Sequence, residues 1–272
     1  TPQVARIDAH TLKREGVTRL CYAGHILHAK PESLTASRCL IQIGAEIYGH
    51  GAVASDIEVI RLMLETLTTS GCDSIHLDLG HVALYRTLAG AAGLSEAQEG
   101  QLFEIYQRKA VPELEQFLAA QVRDSGLRAM LRELVSLAGD RSVIGKARQK
   151  LGAAPKAVQQ ALTDLEQIAD QLSLSHPGVN LYFDLGELRG YHYHTGPVFS
   201  AYVPGMGQAI ANGGRYDNFG AAFGRARPAS GFSTDLKYLM DIGNASTHSA
   251  SAIWATLDGS ATQWQAIAAL RA

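Results

Sequence analysis

Cysteine is scarce in this 272-residue sequence: Cys21, Cys39 and Cys72 are an odd number, and no two stand in C-x-x-C spacing. That excludes a disulfide framework and fits a reducing compartment. Each sits among apolar or small neighbours, which reads as buried filler. A basic excess is missing too. Lys and Arg number 24 against 26 Asp and Glu, for a net charge of −2 and a pI near 6.5. Nucleic-acid binders carry a positive balance or a basic stripe, so nucleic acid is not expected as the main partner. No apolar run reaches the length of a membrane span, and there is no signal peptide, so the expectation is a cytoplasmic chain without a membrane partner. No internal repeat is visible. The sequence starts at Thr1 rather than Met and stops inside a helix-like pattern, so both ends are expected to be truncated. What is present suffices for a sizeable core: 46% hydrophobic and 18% charged residues in a length that suits one large or two small domains.

The pattern along the chain is strands, then helices, then strands. Thr1-Pro2 opens a helix over residues 1–15. Residues 17–29 and 38–48 alternate and are expected to pair as a long antiparallel hairpin. On the second strand Leu40, Gln42, Gly44 and Glu46 share one face, with Gly44 leaving a gap between two polar residues. Ser55-Asp56-Ile57-Glu58 reads as a capping box that opens a helix to about Thr69, and Gly71 stops it. Ser74–Leu79 reads as a strand. Residues 81–176 are rich in Ala, Leu, Glu, Gln and Arg and are expected to form a strand-free helical insertion. A second capping box stands at Ser95, and Pro112 and Pro155 mark helix starts. Strands return at Val179–Leu185, Gly196–Val203 and Gly207–Ala211. Gly213-Gly214 suits a tight turn or a close backbone approach. Gly231–Met240 reads as a strand passing into a helix. Residues 1–242 form the expected core, 243–251 a linker, and 252–272 the start of a small C-terminal α/β unit. Antiparallel strands with segregated helices make the fold class α+β.

The densest chemistry is Arg189-Gly190-Tyr191-His192-Tyr193-His194-Thr195. If extended, His192 and His194 share one face and the two tyrosines the other. Flat hydrogen-bonding rings beside a guanidinium suit a small polar ring compound with a carboxylate. A half-exposed edge strand gives the same pattern.

Four segments in order carry a family resemblance: Ser37-Arg38 through Gln42-Ile43-Gly44-Ala45-Glu46, then Arg189-Gly190-Tyr191-His192-Tyr193, then Gly213-Gly214-Arg215-Tyr216-Asp217, then Gly231-Phe232. Over roughly residues 1–240 the chain resembles the class II aminoacyl-tRNA synthetase core, and within it histidyl-tRNA synthetase. The resemblance implies a mostly antiparallel sheet flanked by helices. It also implies a histidine site in which Gln42 takes the α-amino group, Glu46 the imidazole and Arg189 the carboxylate. Tyr193 is retained, His194 replaces a second tyrosine, His192 replaces an aspartate, and Thr1 matches a pocket threonine.

The ATP machinery of that family is absent. Where motif 2 has Phe-Arg-x-Glu, this chain has Leu27-His28-Ala29-Lys30. Where motif 3 ends Gly-x-Glu-Arg, it has Asp235-Leu236-Lys237-Tyr238. Adenylyl transfer rests on positive charge positioned around the phosphates, and His28, Lys30 and Tyr238 do not restore it. Histidine recognition without ATP handling is similar to the regulatory-subunit family of short-form ATP phosphoribosyltransferase. Residues 1–10, 42–50, 191–199 and 223–233 look like that family. It implies no catalysis and no cofactor, activation of a catalytic subunit in histidine biosynthesis, feedback inhibition by free histidine, and a homodimer within a larger hetero-oligomer. The alternative is a histidyl-tRNA synthetase fragment that activates histidine with ATP. A metal site on His25, His28, His192 and His194 lacks recognisable ligand spacing. Arg215 and Asp217 read as a structural ion pair, Arg225 and Arg227 as either a solvated loop or a partner contact, and His76, His81 and His176 as unpartnered.

Overall fold

The computed structural model describes residues 2–30 and 37–242, with single positions between 260 and 269. Thr1, the linker expected at 243–251 and most of the unit expected at 252–272 lie outside the described residues. In chain order come α1 (Pro2–Arg6), which runs into a π-helical turn at Ile7–Leu12, β1 (Thr18–Leu27), β2 (Cys39–Tyr48), α2 (Val53–Thr69), β3 (His76–His81) and α3 (Val82–Ala91). Then follow α4 (Glu96–Gln107), α5 (Val111–Gln121), α6 (Ser125–Leu134), β4 (Ala138–Gly139), α7 (Ser142–Lys150) and α8 (Lys156–Ser175). Last are β5 (Asn180–Asp184), β6 (Pro197–Tyr202), β7 (Ala211–Arg215), a 3-10 turn at Phe219–Phe223, β8 (Ala229–Asp235) and α9 (Leu236–Ile242).

The strands form one sheet in the order β1-β2-β8-β7-β6-β3-β5-β4. The expected hairpin is there, in register from Thr18 opposite Tyr48 to Leu27 opposite Cys39. Among the described strands only β3 and β5 pair in parallel, and the helices from α3 to α8 form the long crossover such a pair requires. β4 corrects the strand-free expectation: between α6 and α7 the chain passes the edge of β5, and Ala138 pairs with Asp184. The strand expected at Gly207–Ala211 is displaced to Ala211–Arg215. Gly213 therefore lies inside the sheet, where a Cβ would come within 2.4 Å of the Gly231 carbonyl and the Phe199 ring. Close approach, not a turn, explains that glycine.

Helix starts were read unevenly. Ser95 forms the full capping box with Gln98. Ser55 does not cap α2, which starts at Val53 after Ala52. Ser55 instead meets His50 Nδ1 at 2.6 Å, and Asp56 turns inward to Arg215.

A single core cluster runs from Ile47 through Met63, Leu64 and Leu67 of α2 to Leu162, Leu165, Ile168 and Leu172 of α8, and on to Phe183. Each such side chain contributes roughly 1.5–3 kcal/mol on full burial. A smaller cluster joins Val4 and Ala5 of α1 to Tyr48, Tyr216 and Ala229, with Tyr22, Tyr193 and Phe219 against it.

Several polar residues have firmer roles than their sequence context suggests. Arg215 pairs mainly with Asp56, at 2.8 Å, both buried, and only secondarily with Asp217. Arg227 is buried against Asp8, and with Arg225 it binds the backbone of residues 14–16. Neither is a solvated loop residue. His81 caps α3 and faces Asp164, and His176 faces Glu65. Cys72 is buried as expected, but Cys21 and Cys39 are exposed: Cys21 shares the outward face of β1 with Arg19, Ala23 and His25, and Cys39 is the first residue of β2. No helix among the described residues is long and apolar enough to cross a membrane.

Candidate histidine site

Residues 189–193 are not extended. Tyr191 N–H donates to the Leu188 carbonyl, and the N–H groups of Tyr193 and His194 donate to that of Gly190, whose φ is +66°. The expected alternation therefore fails, and the rings separate as consecutive pairs. Tyr191 and His192 pack toward the helices, with Tyr191 5.4 Å from Tyr85 and His192 5.1 Å from Phe103, centroid to centroid. Tyr193 and His194 turn the other way. Tyr193 stacks 4.9 Å from Tyr216 and 4.8 Å from Phe219. His194 lies edge-on to Tyr193 at 4.9 Å. A Cβ on Gly190 would come within 2.4 Å of His194 Nδ1, so the ring fits only over a glycine. Burial lowers the His194 pKa to about 4, keeping the imidazole neutral at pH 7.

Gln42 and Arg189 meet across one cavity of about 450 Å³. Its walls come from the loop end of the β1–β2 hairpin, residues 207–210 and the junction of β8 with α9. Ile26, His28, Tyr202, Asn212, Asp235 and Tyr238 are among them. The Arg189 guanidinium is held by the Ser200 and Tyr202 hydroxyls at 2.7 and 2.9 Å and by Glu187 at 3.2 Å. Ser200 in turn donates to Asn212. Arg189 also lines a second cavity of about 110 Å³, shared with Asp78, Glu187 and His194, so it stands in the wall between the two.

Glu46 lies four residues beyond Gln42 on the same strand face, roughly 13 Å along the chain. It is 1% exposed. Tyr48 Oη donates to its carboxylate, and the Tyr216 hydroxyl lies beside the same side chain. Burial, reinforced by the Glu46 charge, pushes both phenol pKa values up, so both remain donors. Between Gln42 and Glu46 the Tyr22 ring covers Gly44. The structure thus groups Gln42 with Arg189 across the larger cavity, sets Glu46 among Tyr48 and Tyr216 with Tyr193 packed on Tyr216, and places His194 with Arg189 on the smaller cavity. Thr1 is outside the described residues.

Tyr22, Tyr48 and Tyr216 were not singled out by the sequence reading. Tyr48 carries a readable signal, since it lies two residues after Glu46 on the same alternating face. Tyr22 shares that face across the hairpin, opposite Gly44.

His28 and Tyr238 line the larger cavity, while Lys30 is exposed. The charged groups on the described walls are Arg189 and Asp235, with His28. His192 and His194 point apart. Among the described residues no group of three or more His, Cys, Asp or Glu is placed to hold a metal ion.

The chain is similar to known proteins over most of its length. The family model described as histidyl-tRNA synthetase matches residues 1–239. An ATP phosphoribosyltransferase regulatory subunit from Pseudomonas putida is 57% identical over 272 residues, which cover all of this chain and 68% of that protein. The crystal structure of an ATP phosphoribosyltransferase regulatory subunit/histidyl-tRNA synthetase from Bacillus halodurans superposes with a TM-score of 0.78 at 26% identity, over 89% of this chain and 62% of that one. The ATP phosphoribosyl transferase (HisG:HisZ) complex from Thermotoga maritima shares the fold, with a TM-score of 0.67 at 17% identity over 86% of this chain and 79% of that one. The chain thus spans 68% of the length of that curated relative and between 62% and 79% of these solved chains, on a class II aminoacyl-tRNA synthetase-like fold. With more than half its residues identical to a curated member across its whole length, the chain belongs to the ATP phosphoribosyltransferase regulatory subunit family.

Proposed function

We propose that this chain activates a short-form ATP phosphoribosyltransferase catalytic subunit in the first step of histidine biosynthesis, in the cytoplasm, and binds the histidine that inhibits the complex. The observation that carries this reading is the placement of Gln42 and Arg189 across one cavity with so little other charge on its walls. A free amino acid presents one ammonium and one carboxylate. An amide oxygen, the Asp235 carboxylate and one guanidinium match that pair. A triphosphate would need several cations, and Arg189 is the single one on the described walls. Glu46, held by Tyr48 and lying beside Tyr216, supplies the acceptor for an imidazole N–H, with Tyr193 packed on Tyr216.

Inhibition requires that histidine bind the inhibited assembly more tightly than the active one, since a ligand shifts an equilibrium only by its differential affinity. The chain acts as a homodimer within a larger hetero-oligomer. The test is to mix it with a short-form catalytic subunit and follow turnover with and without histidine. Stimulation by the mixture, reversed by histidine, is expected. No stimulation at saturating chain would overturn the reading, and histidine-dependent ATP–pyrophosphate exchange by the chain alone would return it to synthetase chemistry.

A further inference from the structure

The turn that carries Arg189, Tyr193 and His194 is gripped from outside the site by Arg86. This side chain projects from α3, the first helix after β3. Its Nη2 donates to the Tyr191 carbonyl at 2.6 Å and to the His194 carbonyl at 2.9 Å. Its Cζ stands 4.7 Å from the centroid of the Tyr191 ring. Two carbonyls three residues apart and one ring face are thus fixed by a single half-buried guanidinium. A carbonyl held by a cation has little freedom to rotate, and the peptide planes at 191 and 194 set where the side chains between them point.

We propose that Arg86 is the positioning residue of the recognition turn, and that it links ligand occupancy to the helical block. The turn has two sides. Tyr193 and His194 meet Tyr216, whose hydroxyl lies beside Glu46, and Tyr193 also meets Phe219. Tyr191 and His192 meet Tyr85 of α3 and Phe103 of α4. Arg86 holds a carbonyl in each pair. A displacement of His194 by a ligand is therefore passed to Tyr191, and from there to α3 and α4, through groups in direct contact. Arg86 itself need not touch the ligand. The link to ligand occupancy rests on the histidine site proposed above; the positioning role does not.

The test reads the His194 imidazole by NMR in the ligand-free protein, then histidine affinity by calorimetry. Arg86→Gln removes the charge and shortens the reach, whereas Arg86→Lys keeps a cation able to donate to both carbonyls. Arg86→Gln is expected to shift the His194 ring resonances and weaken histidine about tenfold, and Arg86→Lys to recover much of both. A folded Arg86→Gln protein with the wild-type His194 signature would overturn the positioning role, as would equal disturbance by Lys and Gln. Should Arg86→Gln fail to fold, the wild-type guanidinium resonances decide. Slow rotation of the Nη groups supports the clamp, and free rotation overturns it. If the ligand-free shifts follow Arg86 while the wild-type protein binds no histidine, the clamp stands; the histidine site and the link to ligand occupancy fall.

Discussion

The Tyr22 hydroxyl and the Phe232 carbonyl close over Gly44 so tightly that a Cβ there would stand 2.6 Å from the first and 2.3 Å from the second. Tyr22 is the cross-strand neighbour of Gly44, and Phe232 is on β8, the strand flanking β2 on its other side. Gly44→Ala must therefore move either a backbone carbonyl or a ring. Overpacking of this kind costs about 1–3 kcal/mol. Denaturant unfolding should show that loss. Adding Tyr22→Phe removes the hydroxyl clash and leaves the carbonyl clash, so the double variant should recover only part of it. Full recovery would place the whole strain on Tyr22.

Asp56 and Arg215 anchor β7 to α2. The carboxylate accepts both Nε and Nη2 of Arg215 and the Ser230 hydroxyl, and all three residues are buried. Removing one partner leaves the other buried without its counter-charge, which costs about 3–5 kcal/mol. Asp56→Ala is expected to lower the unfolding free energy by that amount. Asp217→Ala should cost less, because Asp217 is one-third exposed and 3.4 Å from Arg215. Comparing the two variants by thermal and urea melts checks the ranking, and a larger loss for Asp217→Ala would refute it.

His194 gives the fold a pH dependence of known sign. Burial lowers its pKa from 6.5 to about 4 in the native state. Between those values the unfolded chain binds a proton that the folded chain does not. Stability therefore rises with pH across the window and is lost as pH falls from about 6.5 toward 4, by about 3 kcal/mol in all. His194→Asn should flatten the slope of unfolding free energy against pH over that interval. An unchanged slope would mean that another group carries the titration.

The sequence made the hairpin, the long helices and the strand before α9 legible, because each has a clean period and its burial follows that period. Gln42, Glu46 and Arg189 were legible through ordered motifs. The turn at 189–194 was not. Its alternating rings mimic a strand, and only the hydrogen bonds returning to Leu188 and Gly190 reveal the turn. Arg227 was misread for a related reason. Its partner Asp8 is over two hundred residues away, and no local pattern brings Asp8 and the carbonyl groups of residues 14 and 16 to one guanidinium. Asp56 looked like part of a cap because the local pattern is indeed Ser-x-x-Glu, but a buried arginine offers the carboxylate more than a helix terminus does.

The proposed histidine site would recognise carboxylate and ring through different residues, and analogues can separate the two. Arg189 faces the larger cavity, where a carboxylate would lie, and Glu46 lies among Tyr48 and Tyr216, where an imidazole would. Arg189→Met should weaken histidine and leave almost unchanged the affinity for histidinol, the analogue with an alcohol in place of the carboxylate. A hydrogen bond to a charged group is worth about 1.5–3 kcal/mol, which corresponds to roughly 10- to 100-fold in affinity. Glu46→Gln should weaken both ligands, since both carry the ring. Its amide also weakens the hydrogen bond that the buried Tyr48 hydroxyl donates to the carboxylate, so a loss of thermal stability should accompany the loss of binding. Calorimetric titration of the two variants with the two ligands gives four affinities. Loss of histidinol binding in Arg189→Met, or unaltered binding in Glu46→Gln, would show that carboxylate and ring are not divided in this way.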